Sequence, residues 1–246
     1  MKKAKVITIA EIKGGTGKTT SVLSLAQAGT LHGKKVLVID LDTQANATAL
    51  LGADPTMQGA YHLLNKYPIA ELIQETELEI DVIAGSPNLA TETPTKGSLY
   101  RLEQAIEPIL SKYDLILIDT PPAFGEMIYN ALQASSGLII ALDSSTSSLQ
   151  GFYLITDLAT ATKRTNAKLK LLGCIVTRYN PRPILSRQML EVITEKAKAV
   201  KCPVLGQVRQ GIAIQEAQAY RKNLFLYAPK SKPAIDYMEL YTKLFK

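Results

Sequence analysis

The segment "KGGTGKTT", residues 13–20, has the residue types and spacing that bind a phosphate group. Glycines permit a loop whose successive backbone N–H groups face one anion, and the helix that follows adds the positive end of its dipole. Lys18 can contact phosphate oxygens as a point charge, and the Thr19 hydroxyl can ligate Mg²⁺. We therefore predict that a nucleotide is bound by Gly14, Gly15, Thr16, Gly17, Lys18, Thr19 and Thr20.

One position of this loop is unusual. The glycine that ordinarily opens such a loop, five residues before Gly17, is replaced by Ile12, and Lys13 follows it. The segment thus carries a second lysine beside Lys18, and the geometry of phosphate binding within one chain does not require it.

Three aspartates can supply the carboxylates that triphosphate chemistry needs near a metal ion. The apolar segment "LILIDTPP" contains Asp119, and "VLVIDLD" ends in Asp40 and Asp42. On an extended chain the i, i+2 spacing points both of these side chains toward one face. A single aspartate at a strand end often only caps the next turn, but three beside one phosphate loop indicate a metal-assisted site.

The segments around these residues alternate between two patterns. Apolar runs rich in Val and Ile are typical of strands that are buried on both faces, and helical spacing separates them. Predicted strands lie in residues 4–12, 34–42, 113–122, 137–143, 169–179 and 202–208, and predicted helices in residues 18–33, 98–111, 126–135, 150–163 and 185–199. This order predicts an α/β fold, a mostly parallel twisted sheet with helices on both faces and its site at the carboxyl ends of the strands.

Length and composition favour one folded domain over residues 1–246, with 46% hydrophobic and 20% charged residues. The start has no apolar run typical of a signal peptide or membrane anchor, so we expect a cytoplasmic protein. Cys174 and Cys202 lie in apolar surroundings and are expected to be small core residues in a reducing compartment. His32 and His62 are isolated, so no zinc site is predicted.

Charge is distributed unevenly along the chain. Residues 1–160 hold 11 Lys and Arg against 17 Asp and Glu, whereas residues 161–246 hold 17 against 5. A strongly basic C-terminal third indicates a polyanionic partner, either nucleic acid or an anionic membrane surface. A lysine-rich solvated face is the alternative interpretation.

Over nearly its whole length the sequence resembles the ParA/MinD group of P-loop ATPases with a deviant Walker A motif, and within it the ParA-type partitioning ATPases. "KGGTGKTT" matches the signature loop, while "VLVIDLDTQANAT" and "LILIDTPP" are similar to the second and third motifs. The resemblance implies ATP and Mg²⁺ as cofactors and a weak, partner-stimulated ATPase activity. It also implies an ATP-sandwiched homodimer that binds DNA without sequence preference. Such a dimer associates with the nucleoid and partitions a plasmid, chromosome or mobile element with a ParB-like centromere-binding protein.

The same resemblance implies a role for each predicted catalytic residue. Lys13 would reach across the dimer to the phosphates of the other subunit. Asp42 would position the attacking water, and Asp40 would support it. Thr19 and Asp119 would hold Mg²⁺, the latter through water.

The chain also departs from the family pattern. Glu11 and Ile12 replace the commoner Asn and Gln before the signature lysine. Thr43 and Ala45 replace the Pro and Gly of "DLDPQGN", which changes the stiffness and geometry of that loop. Neither change removes a predicted phosphate or metal ligand.

Arg209 and Arg187 are the predicted DNA contacts, because they lie in the basic third and Arg209 matches a family DNA-contact position. Weaker candidates are Arg178, Arg182, Arg221 and Lys222. By position alone, residues 177–180 and 208–212 are predicted to lie near the adenine.

Two alternative functions remain open at this point. In a MinD-like ATPase that cycles on membranes, Ile235, Met238, Tyr241 and Phe245 would form an apolar lipid-binding face of the last helix. We favour an ordinary amphipathic helix packed on the sheet, and expect no stable membrane association. In a metabolic ligase or kinase, the segment "DSSTSSLQ" would have to supply an acceptor pocket.

Overall fold

A computed structural model describes residues 3–91 and 98–245, and its centre is an eight-stranded sheet. The strands are β1 (Lys5–Ala10), β2 (Val36–Asp40), β3 (Ile73–Gln74), β4 (Ile80–Ile83), β5 (Leu115–Asp119), β6 (Gly137–Leu142), β7 (Lys170–Tyr179) and β8 (Val204–Arg209). Their order across the sheet is β3-β4-β2-β5-β1-β6-β7-β8. Only the short β3 runs antiparallel to its neighbour among these described strands. The mostly parallel sheet predicted from the sequence is confirmed.

Helices connect the strands and cover both faces. They are α1 (Lys18–Leu31), α2 (Asn46–Leu51), α3 (Ala60–Leu64), α4 (Arg101–Ile106), α5 (Glu126–Ala134), α6 (Thr146–Thr162), α7 (Ile184–Ala199), α8 (Ile212–Ala219), α9 (Leu224–Tyr227) and α10 (Lys232–Phe245). Strand β1 shows why the sequence reads as a continuous apolar run. Its Ile7 and Ile9 pack with α1 and α10, whereas Val6 and Ala10 pack on the opposite face.

Some predicted elements differ from the observed ones. The helix predicted over residues 98–111 is divided into α4 and two flanking 3₁₀ turns, and Pro108 lies in the second of these turns. Proline has no N–H group and interrupts the helical hydrogen bonds. Helix α6 begins four residues earlier than predicted, because the Ser145 side chain accepts the Ser148 N–H and caps it. Strands β3 and β4 were not predicted, since each is short.

The last helix, α10, packs on β8 and α1. Its buried side chains include Tyr237, Leu240 and Tyr241, whereas Ile235 is 41% exposed. The interpretation as a packed amphipathic helix therefore agrees with the structure. Met238, Tyr241 and Phe245 of the predicted apolar face pack against the core, and Ile235 is the member of that face that is exposed. No helix in the described ranges is long and apolar enough to cross a membrane.

Cys174 and Cys202 are free and fully buried, as predicted for core residues. The neighbouring Cys202 thiol and burial both raise the pKa of Cys174. The thiol of Cys174 is therefore held in its neutral, unreactive form.

Candidate nucleotide site

The phosphate-binding loop connects the end of β1 to the start of α1. Gly15 and Gly17 have φ angles of +76° and +80°, a left-handed conformation that favours glycine. A Cβ added at Gly17 would also lie 3.3 Å from the Thr177 side chain. Both glycines are therefore required by the backbone path.

Strand β7 supports this loop from the side, which the sequence did not indicate. The Thr177 hydroxyl lies 2.5 Å from the Thr16 carbonyl oxygen, and the Arg178 guanidinium donates to the Gly15 carbonyl at 3.1 Å. These side chains therefore bind two carbonyl oxygens of the loop and connect it to β7.

Lys18 lies at the base of the loop and is 6% exposed. Its ammonium donates to the Lys13 carbonyl oxygen at 3.3 Å. Burial lowers the pKa of Lys18, and the carboxylates of three residues oppose this effect: Asp119, Glu11 and Asp42. A buried ammonium at the start of a helix is suited to offset the charge of a phosphate group.

Asp119 and Thr19 meet at the carboxyl end of the sheet. The Thr19 hydroxyl donates to Asp119 Oδ2 at 2.7 Å, while Asp119 Oδ1 is buried and has no hydrogen-bond partner within residues 3–91 and 98–245. Burial and the neighbouring Asp40 raise the pKa of Asp119 to about 8. A buried carboxylate oxygen without a partner beside a hydroxyl fits Mg²⁺, which prefers such oxygen ligands. The residues predicted to hold a metal ion are therefore brought together.

Asp40 braces the site and has no free carboxylate oxygen. Its Oδ1 accepts the Asp42 N–H at 3.0 Å, and its Oδ2 accepts the Thr48 N–H at 3.0 Å and hydroxyl at 2.8 Å. The Thr48 hydroxyl in turn accepts the Gly85 N–H at 2.9 Å. Burial raises the pKa of Asp40. Asp40 therefore fixes the backbone of Asp42, and Thr48 and Gly85 are supporting residues that sequence reasoning missed.

Asp42 and the loop share a cavity of about 590 Å³. The lining includes Gly14, Gly15, Thr16, Gly17, Lys18, Thr19, Thr20, Asp42, Thr177, Arg178, Val208, Arg209, Gln210 and Gly211. The two segments that we placed near the adenine thus contribute to this wall. A cavity of this size accommodates a nucleotide.

Lys13 has a different environment from Lys18. Its side chain is 30% exposed, and its ammonium lies 2.6 Å from Asp143 Oδ2 and 2.7 Å from the Ser145 hydroxyl. Lys13 is not among the described residues that line the 590 Å³ cavity. The second lysine is thus directed away from the phosphate position of its own chain.

Comparisons with known proteins agree with this geometry. Residues 4–171 match a family described as an AAA domain. The chromosome partitioning protein ParA of Myxococcus xanthus is 31% identical over 251 residues, which cover 98% of this chain and 88% of that protein. The sporulation initiation inhibitor protein Soj of Bacillus subtilis is 32% identical over 247 residues, 96% of each chain. The chain belongs to the ParA family of P-loop ATPases.

The ParA-family chain also resembles a solved structure, that of cobyrinic acid a,c-diamide synthase from Mycobacterium smegmatis with bound ADP and magnesium. The identity is 28% and the TM-score is 0.82, with 97% of this chain and 93% of that chain covered. A protein with the same fold and a related sequence therefore holds a nucleotide and magnesium.

The predicted DNA contacts of this ParA-family chain lie in two environments. Arg209 forms an ion pair with Asp236, in which Nε lies 2.9 Å from Oδ2, and its backbone N–H donates to the same carboxylate. Arg187 is exposed and donates to the carbonyl oxygens of Pro181 and Arg182 at the start of α7. The charge of Arg209 is thus offset by Asp236, whereas that of Arg187 faces solvent.

The weaker DNA-contact candidates are all exposed: Arg178, Arg182, Arg221 and Lys222. Ala45, which replaces a family glycine, keeps a left-handed backbone with φ at +50° as it begins α2. The loop after Asp42 therefore uses a left-handed conformation at a non-glycine residue, at a cost in backbone strain.

Proposed function

We propose that this chain binds and hydrolyses ATP with Mg²⁺ as a dimerising switch. In its ATP-bound dimer it binds DNA without sequence preference and partitions DNA with a ParB-like partner. The observation that supports this proposal most strongly is the different placement of two lysines of the phosphate loop. Lys18 is buried at the base of the nucleotide cavity, whereas Lys13 is directed out of it. A second lysine in that position is available to a second copy of the chain.

The residues of the site would divide the chemistry as follows. The loop N–H groups and Lys18 bind the phosphates and offset their negative charge. Thr19 and, through water, Asp119 would hold Mg²⁺, and the bound ion would supply positive charge to offset that of the phosphate oxygens. Asp42 accepts a hydrogen bond from the attacking water and orients it in line with the terminal phosphate.

Dimerisation would complete this site. Lys13 from the second subunit adds a positive charge where negative charge develops during hydrolysis. Because that charge arrives only in the dimer, hydrolysis is coupled to assembly, which is the property required of a switch.

DNA binding is the second part of the proposal, and the basic C-terminal third supports it. Arg187 and the exposed loop residues Arg182, Arg221 and Lys222 are suited to contact phosphates without reading bases, whereas Arg178 in β7 is bonded to the phosphate loop. Each neutralised phosphate should lower the slope of log affinity against log salt by about 0.9.

The test is DNA binding by the purified protein with ATP, with ADP and without nucleotide, across a salt series. Of these three states, we expect DNA binding in the ATP state and not in the other two. Salt should weaken this binding steeply, and Lys13→Ala should abolish it. The matched control is Lys112→Ala, an exposed lysine outside the basic third, which should bind as the wild type does. Equal DNA binding in all nucleotide states would contradict the switch.

A metabolic synthetase is the second candidate, because the chain is 28% identical to the cobyrinic acid a,c-diamide synthase structure. The DNA-binding assay and a measurement of ATP turnover with a small-molecule acceptor separate the two candidates. A synthetase would show ATP turnover stimulated by a small-molecule acceptor and would form no nucleotide-dependent complex with DNA.

A further inference from the structure

A second cavity lies at the amino-terminal edge of the sheet, opposite the edge that holds the nucleotide site. Its volume is about 630 Å³, close to the 590 Å³ of the nucleotide cavity. It lies where β1 and β7 begin on either side of β6, and residues of α4, α5 and α10 also line it. Among the residues that the structure describes, its lining shares none with the nucleotide cavity.

The floor of this second cavity is apolar. Gly137 of β6 is in register with Ile7 of β1 and with Lys170 of β7. A Cβ added at Gly137 would lie 2.7 Å from Leu172 Cδ1, so Leu172 packs directly over β6 because Gly137 has no side chain. Ile7, Leu172 and Leu244 of α10 line the cavity together. A ligand that fills it therefore needs an apolar body.

The rim of the cavity is basic. Four exposed lysines line it, two at the start of β1 and two at the start of β7: Lys3, Lys5, Lys168 and Lys170. Glu103 is the one carboxylate in the lining among the described residues. Lys3 lies 3.7 Å from Glu107, whereas the other three lysines form no ion pair within residues 3–91 and 98–245. The rim therefore carries positive charge that the described part of the chain does not offset.

Strand register places two of these lysines on the same face of the sheet. Lys5 precedes Ile7 by two residues, so both side chains point to one face. Lys170 is in register with Ile7 through Gly137, and residues in register on parallel strands share a face. Only β6 separates β1 from β7, which sets the two strands about 10 Å apart. An anionic group between them is within reach of both ammonium groups.

Gln133, near the end of α5, supplies a hydrogen-bond acceptor that the described residues do not use. It lines the cavity and is 6% exposed. Its Nε2 donates to the Thr165 hydroxyl oxygen at 2.5 Å, and that hydroxyl donates to the Thr162 carbonyl at 3.0 Å. Because the hydroxyl hydrogen of Thr165 is already used, the amide orientation is fixed, and Gln133 Oε1 is buried without a partner in the described ranges. Such an oxygen beside a cavity calls for an N–H or O–H donor.

We propose that this cavity binds a small organic anion that carries an apolar body, a carboxylate or phosphate group, and an N–H or O–H donor. The apolar body lies on Ile7 and Leu172, the anionic group lies between Lys5 and Lys170, and the donor reaches Gln133. A nucleic acid would contact the exposed lysines but would leave the apolar floor and Gln133 unused. None of these residues belongs to the nucleotide cavity, so the site is independent of the proposed ATPase.

Binding of toluidinonaphthalene sulfonate tests the site, because this probe has an aromatic body, an anionic group and an N–H donor. Its fluorescence would be titrated with protein saturated with Mg²⁺ and ADP, so that the nucleotide cavity is filled. We expect one saturable site in the wild type. The double variant Lys5→Ala, Lys170→Ala should bind the probe about tenfold more weakly, since it loses two exposed charge contacts of modest strength. The matched control is Lys112→Ala, Lys196→Ala, which removes two exposed lysines outside the cavity and should bind as the wild type does.

Gln133→Leu tests the donor separately. It should weaken binding of toluidinonaphthalene sulfonate severalfold and leave binding of naphthalene sulfonate, which has no N–H group, unchanged. Equal losses for the two compounds would show that the substitution only disturbs the cavity, and would overturn the role of Gln133.

Competition with the probe identifies the anionic group. Phenyl phosphate and benzoate distinguish a phosphate from a carboxylate ligand, and neutral benzyl alcohol should not compete. Equal probe affinity in the wild type and the Lys5→Ala, Lys170→Ala variant, or equal competition by benzyl alcohol, would overturn the proposed site. Displacement by a short oligonucleotide and by neither small anion would assign the lysines to nucleic acid instead.

Discussion

The hydroxyl of Thr48 should be essential to the stability of the site, although Thr48 contacts no nucleotide in the proposed arrangement. It is fully buried on α2, donates to Asp40 and accepts the Gly85 N–H. Thr48→Val keeps the shape of the side chain and removes only this hydroxyl. The variant therefore isolates the hydrogen bonds from packing.

Thr48→Val loses two hydrogen bonds of the hydroxyl, and these determine how far the free energy of unfolding falls. A hydrogen bond to a charged group contributes about 1.5–3 kcal/mol, and a buried N–H left without a partner costs about 1–3 kcal/mol. With the Thr48 backbone N–H still bonded to Asp40, we expect Thr48→Val to lower the free energy of unfolding by about 3 kcal/mol. Thr48→Ser keeps the hydroxyl and loses one methyl group, so it should cost only about 1 kcal/mol.

The assay is urea denaturation of the nucleotide-free protein. Thr194→Val is the matched control, since that exposed threonine on α7 donates to the Leu190 carbonyl of its own helix, and it should change stability by less than about 0.5 kcal/mol. If Thr48→Val is as stable as Thr48→Ser, the hydroxyl does not brace Asp40 and the reasoning is refuted.

Three further predictions concern other parts of the chain. Burial raises the pKa of Glu11 to about 7, so the native state retains a proton that the unfolded chain has lost. The free energy of unfolding without nucleotide should therefore fall as pH rises from about 4.5 to 7, and the fall should be smaller in Glu11→Gln. Urea denaturation measures both proteins, and an equal fall in the two would exclude Glu11 as the cause. Cys174 and Cys202 should not react with a thiol reagent until the protein is unfolded, and rapid native labelling would contradict their burial. Because α10 packs on the sheet, the protein should not float with anionic liposomes in the presence of ATP, and flotation would favour the membrane alternative.

Local sequence was sufficient for the centre of the fold and for the phosphate loop. The glycines, Lys18 and Thr19 follow one another on the chain, so their spacing alone predicts the loop between β1 and α1. Asp40 and Asp119 could be placed at strand ends because both strands are apolar runs that stop at a carboxylate. Strands β2 and β5 then bring these two residues side by side in the sheet.

The supporting contacts could not be predicted, because they depend on which strands are neighbours. Thr177 reaches the Thr16 carbonyl across 161 positions of sequence, and Asp143 reaches Lys13 across 130. Asp143 was recognisable as a residue at a strand end, but its partner follows only from the pairing of β6 with β1. Thr48 and Gly85 gave no signal, since a threonine in a short helix and a loop glycine are common.

The central claim is that Lys13 of one subunit serves the nucleotide bound by the other, and subunit mixing tests it most directly. Lys13→Ala and Asp42→Ala would each be assayed for ATP hydrolysis with DNA, alone and as an equal mixture. In a mixed dimer the site that contains Asp42 receives Lys13 from the other subunit and is complete. The account predicts that the mixture recovers about a quarter of the wild-type activity, because half of the dimers are mixed and each has one complete site. A mixture no more active than the separate variants would contradict the account.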